Sequence, residues 1–317
     1  TLEVDVLLDD GSIGRGSVPA GASTGIHEAK KLDDIDISVR NAQTLGASLI
    51  GQDPMQQEKL DMLMIQTDGS PDKENLGANT ILALSLAICD GAAKAAHIPL
   101  YQHIHDIAEL ASPIGLPTPM FNVINGGKHA DNNLEGQEFM GVPTADSRPF
   151  SQKMAIGVAI FQSLKEVLHR MGHSTSVGDE GGFAPRLNSN EEALQVLMQA
   201  IEATPYRPMV DVTLAMDVAA SSIQDLAAIS YPLDPFGWYQ KLVDTYPISS
   251  IEDPMNEDDW PSWTKLTAQL GSRIFVVGDD LYTTNPARLK LGIERQASNA
   301  IIVKPDQIGT LTETLDA

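Results

Sequence analysis

Four short apolar runs in the second half of the sequence each end in a charged residue. The residues that end them are Asp217 after 214–216, Glu252 after 248–251, Asp279 after 275–278 and Lys304 after 300–303. The intervals between these ends suit a buried strand followed by a crossover helix, which predicts parallel β/α units. Because the carboxyl ends of such strands converge at one mouth of a β/α barrel, we predict that the three carboxylates and the lysine share one site.

This set of residue types predicts metal-assisted removal of a proton next to a carboxylate. Three converging carboxylates raise one another's pKa unless a cation lies among them, and oxygen-only ligands favour Mg²⁺ over Zn²⁺. A neighbouring dication disfavours the ammonium form of Lys304, so this lysine could act as a base near neutral pH. Proton removal forms an enediolate whose charge must be neutralised. An acid, Glu180 or Glu138, could then protonate a departing hydroxyl.

Two glycine-rich stretches could present groups to such a site. In Val177–Pro185 the carboxylates of Asp179 and Glu180 are bracketed by glycines, which allow a sharp loop that approaches a ligand closely. The composition alone is also typical of a surface turn. The stretch 20–25 is either a flexible loop or a mobile lid whose hydroxyls reach a cation or phosphate. Neither stretch by itself distinguishes the functional from the structural interpretation.

Composition and charge exclude several classes of function. The net charge is −22, from 43 acidic against 21 basic residues, and such a surface repels nucleic acid and anionic membranes. We therefore expect no nucleic acid partner and no membrane insertion. Cys89 is the one cysteine, which excludes an intrachain disulfide, fits a reducing cytosol and predicts a buried, inert thiol.

The 317 residues predict two domains. The first, residues 1–115, is a small α+β capping domain that carries the lid loop. Its expected elements are a hairpin of Leu2–Leu8 with Ile13–Val18 and helices over Ile37–Ile50, Met55–Ile65 and Ala78–Ala96. The second, residues 116–317, is a β/α barrel that contains a helix over Ser151–Met171 and another that starts at Asn190 as its N-cap.

Several motifs in this order resemble the enolase family. They are GASTG at 21–25, LGAN at 76–79, FNVINGG at 121–127, QEF at 137–139, VGDEGGFAP at 177–185, MDVAAS at 216–221, SIEDP at 250–254, VGDDL at 277–281 and QIG at 307–309. The resemblance covers nearly the whole chain. It implies an N-terminal α+β domain followed by an enolase-type barrel and a lyase that reversibly dehydrates 2-phosphoglycerate to phosphoenolpyruvate with two Mg²⁺ ions.

The resemblance also implies a role for each matching residue. The first Mg²⁺ would be held by Asp217, Glu252 and Asp279, and the second by Ser23 on the closing lid. The base that takes the C2 proton would be Lys304, and the acid that assists loss of the C3 hydroxyl would be Glu180, with Glu138 as its neighbour. Substrate contacts would come from His129, Gln137, Glu138, Glu252, Asp279 and Lys304. Asp179 is expected to shape the loop, and Asp280 to support the ligands or the structure.

The resemblance further implies a cytoplasmic homodimer or larger homo-oligomer, with an additional cell-surface location possible. Residues 117–317 number about 200, whereas a complete barrel has ~250, so we expect an incomplete barrel from a longer protein. Pro305-Asp306 and Ala20 depart from the family pattern. Two alternatives stay open: another enzyme of the enolase superfamily, or an enolase-like protein or fragment that lacks activity and serves as a binding or surface protein.

Overall fold

The computed structural model describes residues 1–19, 25–223 and 234–317. These residues divide into two compact units. The first consists of Thr1–Gly115, Tyr282–Leu291 and Ile302–Ala317, and the second of Leu116–Leu281 and Gly292–Ile301. The predicted fold class, a small α+β domain followed by an incomplete barrel, is confirmed.

The first unit combines one hairpin with helices. Its elements up to residue 115 are β1 (Leu2–Leu7), β2 (Ile13–Val18), α1 (Ile35–Leu49), α2 (Gln57–Asp68), α3 (Ala78–Ala95) and α4 (Leu100–Ile107). The predicted hairpin and the first three helices are thus confirmed to within three residues at each end. One core cluster of the unit consists of apolar side chains on α1, α2 and α3, namely Leu45, Leu60, Met64, Ile81, Leu84 and Ile88.

Strand β2 packs directly on the backbone of α3. A Cβ atom at Gly14 or at Gly16 would collide with carbonyl oxygens of that helix. Glycine at these two strand positions therefore permits a contact that a side chain would prevent. Within α3 the Cys89 thiol is buried, as expected, and burial raises its pKa to about 12.

The second unit is built on a six-stranded sheet in the order β3-β4-β5-β6-β7-β8. These strands are β3 (Phe121–Asn125), β4 (Glu138–Pro143), β5 (Val212–Asp217), β6 (Ile248–Glu252), β7 (Phe275–Gly278) and β8 (Ala300–Ile301). The pairs from β5 to β8 are parallel, as predicted, whereas β4 runs antiparallel to both β3 and β5. Among the described residues β3 and β8 are not paired, so the barrel is not closed.

Helices connect and cover these strands. They are α5 (Phe150–Arg170), α6 (Asn190–Glu202), α7 (Pro235–Thr245), α8 (Trp260–Leu270) and α9 (Pro286–Arg295), and α9 runs from the first unit into the second. Two short helices, α10 (Pro305–Ile308) and α11 (Leu311–Asp316), return to the first unit. The predicted helix over Ser151–Met171 is confirmed as α5.

The predicted N-cap of α6 was wrong by one residue. The side chain of Ser189 accepts a hydrogen bond from the backbone N–H of Glu192 and caps the helix. Asn190 is instead the first helical residue and is buried. Its Oδ1 accepts hydrogen bonds from the backbone N–H groups of Glu135 and Gly136, so this side chain fastens the segment before β4.

Lys304 does not lie at the end of a strand, which corrects the prediction for the fourth apolar run. Strand β8 ends at Ile301, because β7 offers partners only to Ala300 and Ile301. Lys304 follows three residues later and is the N-cap residue of α10. Its position is therefore set by the helix that follows it and not by the sheet ladder.

Within the described part of the chain, no single helix is both long and apolar enough to cross a membrane. Helices α3 and α4 pass that test only as a pair, and the chain bends by 105° between them.

Candidate functional site

A row of carboxylates crosses the sheet of the second unit. Glu138 on β4 lies directly opposite Asp217 on β5, and Asp217 lies directly opposite Glu252 on β6. Glu252 is paired with Val277 on β7, and Asp279 follows that residue by two positions. Because directly paired residues project from the same face of a sheet, the side chains of Glu138, Asp217 and Glu252 lie side by side.

The antiparallel direction of β4 explains why Glu138 joins this row. Glu138 is the first residue of its strand, whereas Asp217 and Glu252 are the last residues of theirs. The amino end of an antiparallel strand lies beside the carboxyl ends of its neighbours. Two parallel strands and one antiparallel strand thereby bring three carboxylates to the same edge of the sheet.

Asp217 is held in place by its neighbours. Its Oδ2 accepts a hydrogen bond from Nε2 of Gln137 at 2.9 Å, and its Oδ1 accepts one from the backbone N–H of Ala219 at 2.9 Å. The backbone N–H of Gln137 also donates to the carbonyl oxygen of Asp217 at 2.9 Å. Gln137, predicted to contact substrate, is therefore bonded to a candidate metal ligand, and its own Oε1 is buried without a hydrogen-bond partner among the described residues.

The structure adds Asp253, a residue to which the sequence analysis gave no role. Its carboxylate accepts the backbone N–H of Asp279 at 2.9 Å and that of Asp280 at 2.8 Å. Asp253 is only 3% exposed and has a φ of 41°, a backbone conformation uncommon outside glycine. The available signal was its place between Glu252 and Pro254 in the SIEDP motif. Asp253 fixes the turn that presents Asp279 after β7.

Asp253, Asp279 and Asp280 form a close acidic group. Their nearest carboxylate oxygens all lie within 4.8 Å of one another. Burial raises the pKa of Asp253 well above its usual range, and the charges of Asp217, Asp280 and Asp279 raise it further. A cation among these groups would relieve that repulsion.

The donor set fits a hard divalent cation such as Mg²⁺. The row and the acidic group offer carboxylate oxygens alone, which Mg²⁺ prefers over nitrogen or sulfur. Asp217, Glu252 and Asp279, the predicted ligands, all belong to these two sets. Ser23, the predicted ligand on the lid, lies outside the described residues.

A second group contains an imidazole. His129, Glu138 and Glu180 each offer an atom within 4.8 Å of the other two. Nδ1 of His129 lies 3.6 Å from Oε1 of Glu138 and 3.4 Å from Oε2 of Glu180. Asn122 on β3 donates a hydrogen bond to the same Oε2 at 3.0 Å. The structure thus brings the two candidate acids of the sequence analysis together around one buried histidine.

Glycines let the loop that carries Glu180 pack against β3. The backbone of Phe183 bonds to Val123 and Asn125, and the N–H of Asp179 donates to the carbonyl oxygen of His129. A Cβ at Gly178 would lie 2.5 Å from that same oxygen, so a side chain there would displace the loop. The Phe183 ring stacks on Phe161 with centroids 4.4 Å apart and anchors the loop in the core.

A cavity of about 640 Å³ adjoins this loop. Its lining mixes basic and acidic side chains, which include Lys128, His129, His173, Arg186, Asp131 and Asp179. Glu138 and Glu180 are not among its lining residues.

In the first unit, the backbone of Lys304 is hydrogen-bonded to a buried threonine. Its N–H donates to Oγ1 of Thr284 at 2.9 Å, and that hydroxyl donates to Oε1 of Gln307 at 2.8 Å. Thr283 and Thr284 have φ values of 48° and 53° and are both buried. Positive φ is strained for a β-branched residue, so the surrounding contacts hold Thr284 in this conformation.

Comparison with known families assigns both parts of the chain. Residues 1–104 match the family model described as "Enolase, N-terminal domain", and residues 113–317 match the model described as "Enolase, C-terminal TIM barrel domain". The second match alone spans more than half of the chain. The chain therefore belongs to the enolase family of lyases.

Proposed function

We propose that this protein is a Mg²⁺-dependent lyase that interconverts 2-phosphoglycerate and phosphoenolpyruvate. The observation that carries this proposal is the row of Glu138, Asp217 and Glu252. One end of the row continues to Asp279, and Glu138, at the other end, lies beside His129 and Glu180. Membership in the enolase family is shared with enzymes of other specificity. The VGDEGGFAP loop and the GASTG stretch favour 2-phosphoglycerate among the possible substrates.

Asp217, Glu252 and Asp279 would hold the first Mg²⁺, and Ser23 would contribute to the second. When bound, these ions supply positive charge that stabilises the charge developing on the substrate carboxylate. Asp253 keeps Asp279 in position through its two backbone hydrogen bonds. Gln137 keeps Asp217 in position in the same way, through its side chain and its backbone.

Lys304 would act as the base. Its neutral amine takes the proton from C2 of 2-phosphoglycerate, and the electron pair left on C2 later forms the double bond to C3. The backbone hydrogen bond to Thr284 holds the residue that carries this amine. A base of this kind contributes about 10²–10⁴-fold to the rate.

Glu180 would act as the acid. Its protonated carboxyl gives a proton to the hydroxyl on C3, which leaves as water. Asn122 orients the Glu180 carboxyl by a hydrogen bond, and His129 and Glu138 lie beside it. His129 and Gln137 would contact the substrate. For the whole protein we further propose a cytoplasmic homodimer or larger assembly.

The test is the formation of phosphoenolpyruvate from 2-phosphoglycerate, followed by ultraviolet absorbance with Mg²⁺ and after its removal by EDTA. We expect turnover that depends on Mg²⁺ and is lost in the D217N variant. Turnover that persists in EDTA would contradict the metal requirement. If the folded protein binds Mg²⁺ but forms no phosphoenolpyruvate, the result supports an enolase-like binding protein or another reaction of the superfamily.

A further inference from the structure

The histidine in the group of His129, Glu138 and Glu180 is arranged as a metal ligand. His129 is 4% exposed, and its Nδ1 has no hydrogen-bond partner among the described residues. That nitrogen nevertheless points towards one oxygen of each glutamate, at 3.4 and 3.6 Å. A buried polar atom without a hydrogen bond destabilises the fold, and a bound cation would satisfy this nitrogen.

The two distances from Nδ1 of His129 to the glutamate oxygens fit tetrahedral coordination. Zn²⁺ binds nitrogen and oxygen ligands at about 2.0–2.1 Å, which places two tetrahedral ligand atoms roughly 3.4 Å apart. The two distances from Nδ1 are close to this value. One imidazole with two carboxylates is a ligand set for a borderline ion such as Zn²⁺, whereas Mg²⁺ is bound by oxygen alone.

The neighbouring contacts support the same arrangement. Asn122 donates to the Glu180 oxygen nearest to His129, and such a contact orients a metal ligand from outside. The carbonyl oxygen of His129 accepts the N–H of Asp179, and its N–H donates to Gly126, so the backbone on both sides of the imidazole is fixed. These bonds fix the point of the backbone from which the imidazole projects.

We infer that His129, Glu138 and Glu180 form a binding site for a divalent transition metal ion, with Zn²⁺ preferred over Mg²⁺. The site shares Glu138 with the carboxylate row but differs from it by the nitrogen ligand. One consequence rests on the proposed function. Zn²⁺ bound here coordinates the carboxylate of the proposed acid, Glu180, and inhibits dehydration while the Mg²⁺ sites stay occupied.

The binding experiment uses Co²⁺ as a coloured probe for Zn²⁺. We titrate the protein with Co²⁺ in saturating Mg²⁺ and record visible absorption, because Co²⁺ in a tetrahedral site with a nitrogen ligand absorbs far more strongly than octahedral Co²⁺ on oxygens. We expect strong bands that Zn²⁺ abolishes. H129A and E180Q should each weaken Co²⁺ binding by at least about tenfold. The E180Q change lies at a side chain that is 41% exposed, so it tests the site if H129A folds poorly.

Two control variants test whether the Co²⁺ bands come from this site. H173A changes a histidine that lines the neighbouring cavity but is outside the group, and it should leave the spectrum unchanged. D217N should abolish phosphoenolpyruvate formation while the Co²⁺ bands persist, so failure of the proposed function and failure of the metal site give different results. The inference is overturned if Co²⁺ gives only weak octahedral absorption, or if the strong bands survive in both H129A and E180Q.

Discussion

Glu138 and Asp217 lie directly opposite each other on two strands that run in opposite directions. This pairing places a residue from the start of one strand beside a residue from the end of the next. Glu138 also lies 3.6 Å from His129. It therefore connects the all-oxygen row, which suits Mg²⁺, with the group that contains an imidazole and the proposed acid.

Replacement of Lys304 by alanine tests the proposed base. We expect phosphoenolpyruvate formation to fall at least about 100-fold, because general base catalysis contributes that much or more. Mg²⁺ binding, measured by calorimetry, should persist, since Lys304 offers no ligand oxygen. K290A, at an exposed lysine on α9, is the matched control and should keep full activity. Wild-type turnover in K304A would refute the assignment.

The hydroxyl of Thr284 is predicted to position Lys304. T284V keeps the β-branched shape but removes the acceptor for the Lys304 N–H and the donor to Gln307. We expect a stability loss of about 1–2 kcal/mol and a lower kcat with little change in KM. T284S retains the hydroxyl and should restore kcat. Equal kcat values in the two variants would show that the hydroxyl has no positioning role.

Gly178 is predicted to accept no side chain. In G178A the new methyl group meets the carbonyl oxygen of His129, so the loop with Glu180 has to shift. We expect a stability loss of about 2 kcal/mol, measured by urea unfolding, together with reduced turnover. G115A introduces the same methyl group at a position with no atom within 4 Å and should be close to neutral. Similar losses in both variants would contradict this explanation.

Buried Asp61 is predicted to make the stability depend on pH. Its carboxylate accepts hydrogen bonds from Gln57 on α2 and from the N–H and hydroxyl of Thr312 on α11, yet burial raises its pKa. A raised folded-state pKa means that this group stabilises the fold most below its unfolded pKa of about 3.9. The contribution is lost as the pH rises through the folded pKa.

Urea unfolding of wild type and D61N at several pH values checks this sign. The difference in unfolding free energy should move in favour of the wild type as the pH falls from 7 towards about 4. A constant difference, or a change in the opposite direction, would contradict the raised pKa. D36N, at an exposed acid in the first turn of α1, is the control for surface charge.

Local patterns in the sequence determined most of the elements. Alternating apolar residues predicted the hairpin, and helical spacing predicted α1, α2, α3 and α5, because these periods follow from backbone geometry within a single segment. The ends of β5, β6 and β7 were also correct to within one residue, since each apolar run stops at a charged residue. The family motifs and the three carboxylates at these strand ends could also be identified from the sequence, since each lies within one short segment.

The tertiary structure alone decided which residues meet. The direction of β4 brings Glu138 opposite Asp217, and the short pairing of β7 with β8 leaves Lys304 beyond the strand. The turn after β7 makes Asp253 a buried acceptor for two backbone N–H groups, and its place in the SIEDP motif does not reveal this role. Strand direction, register and burial depend on partners far away in the sequence, so no local pattern encodes them.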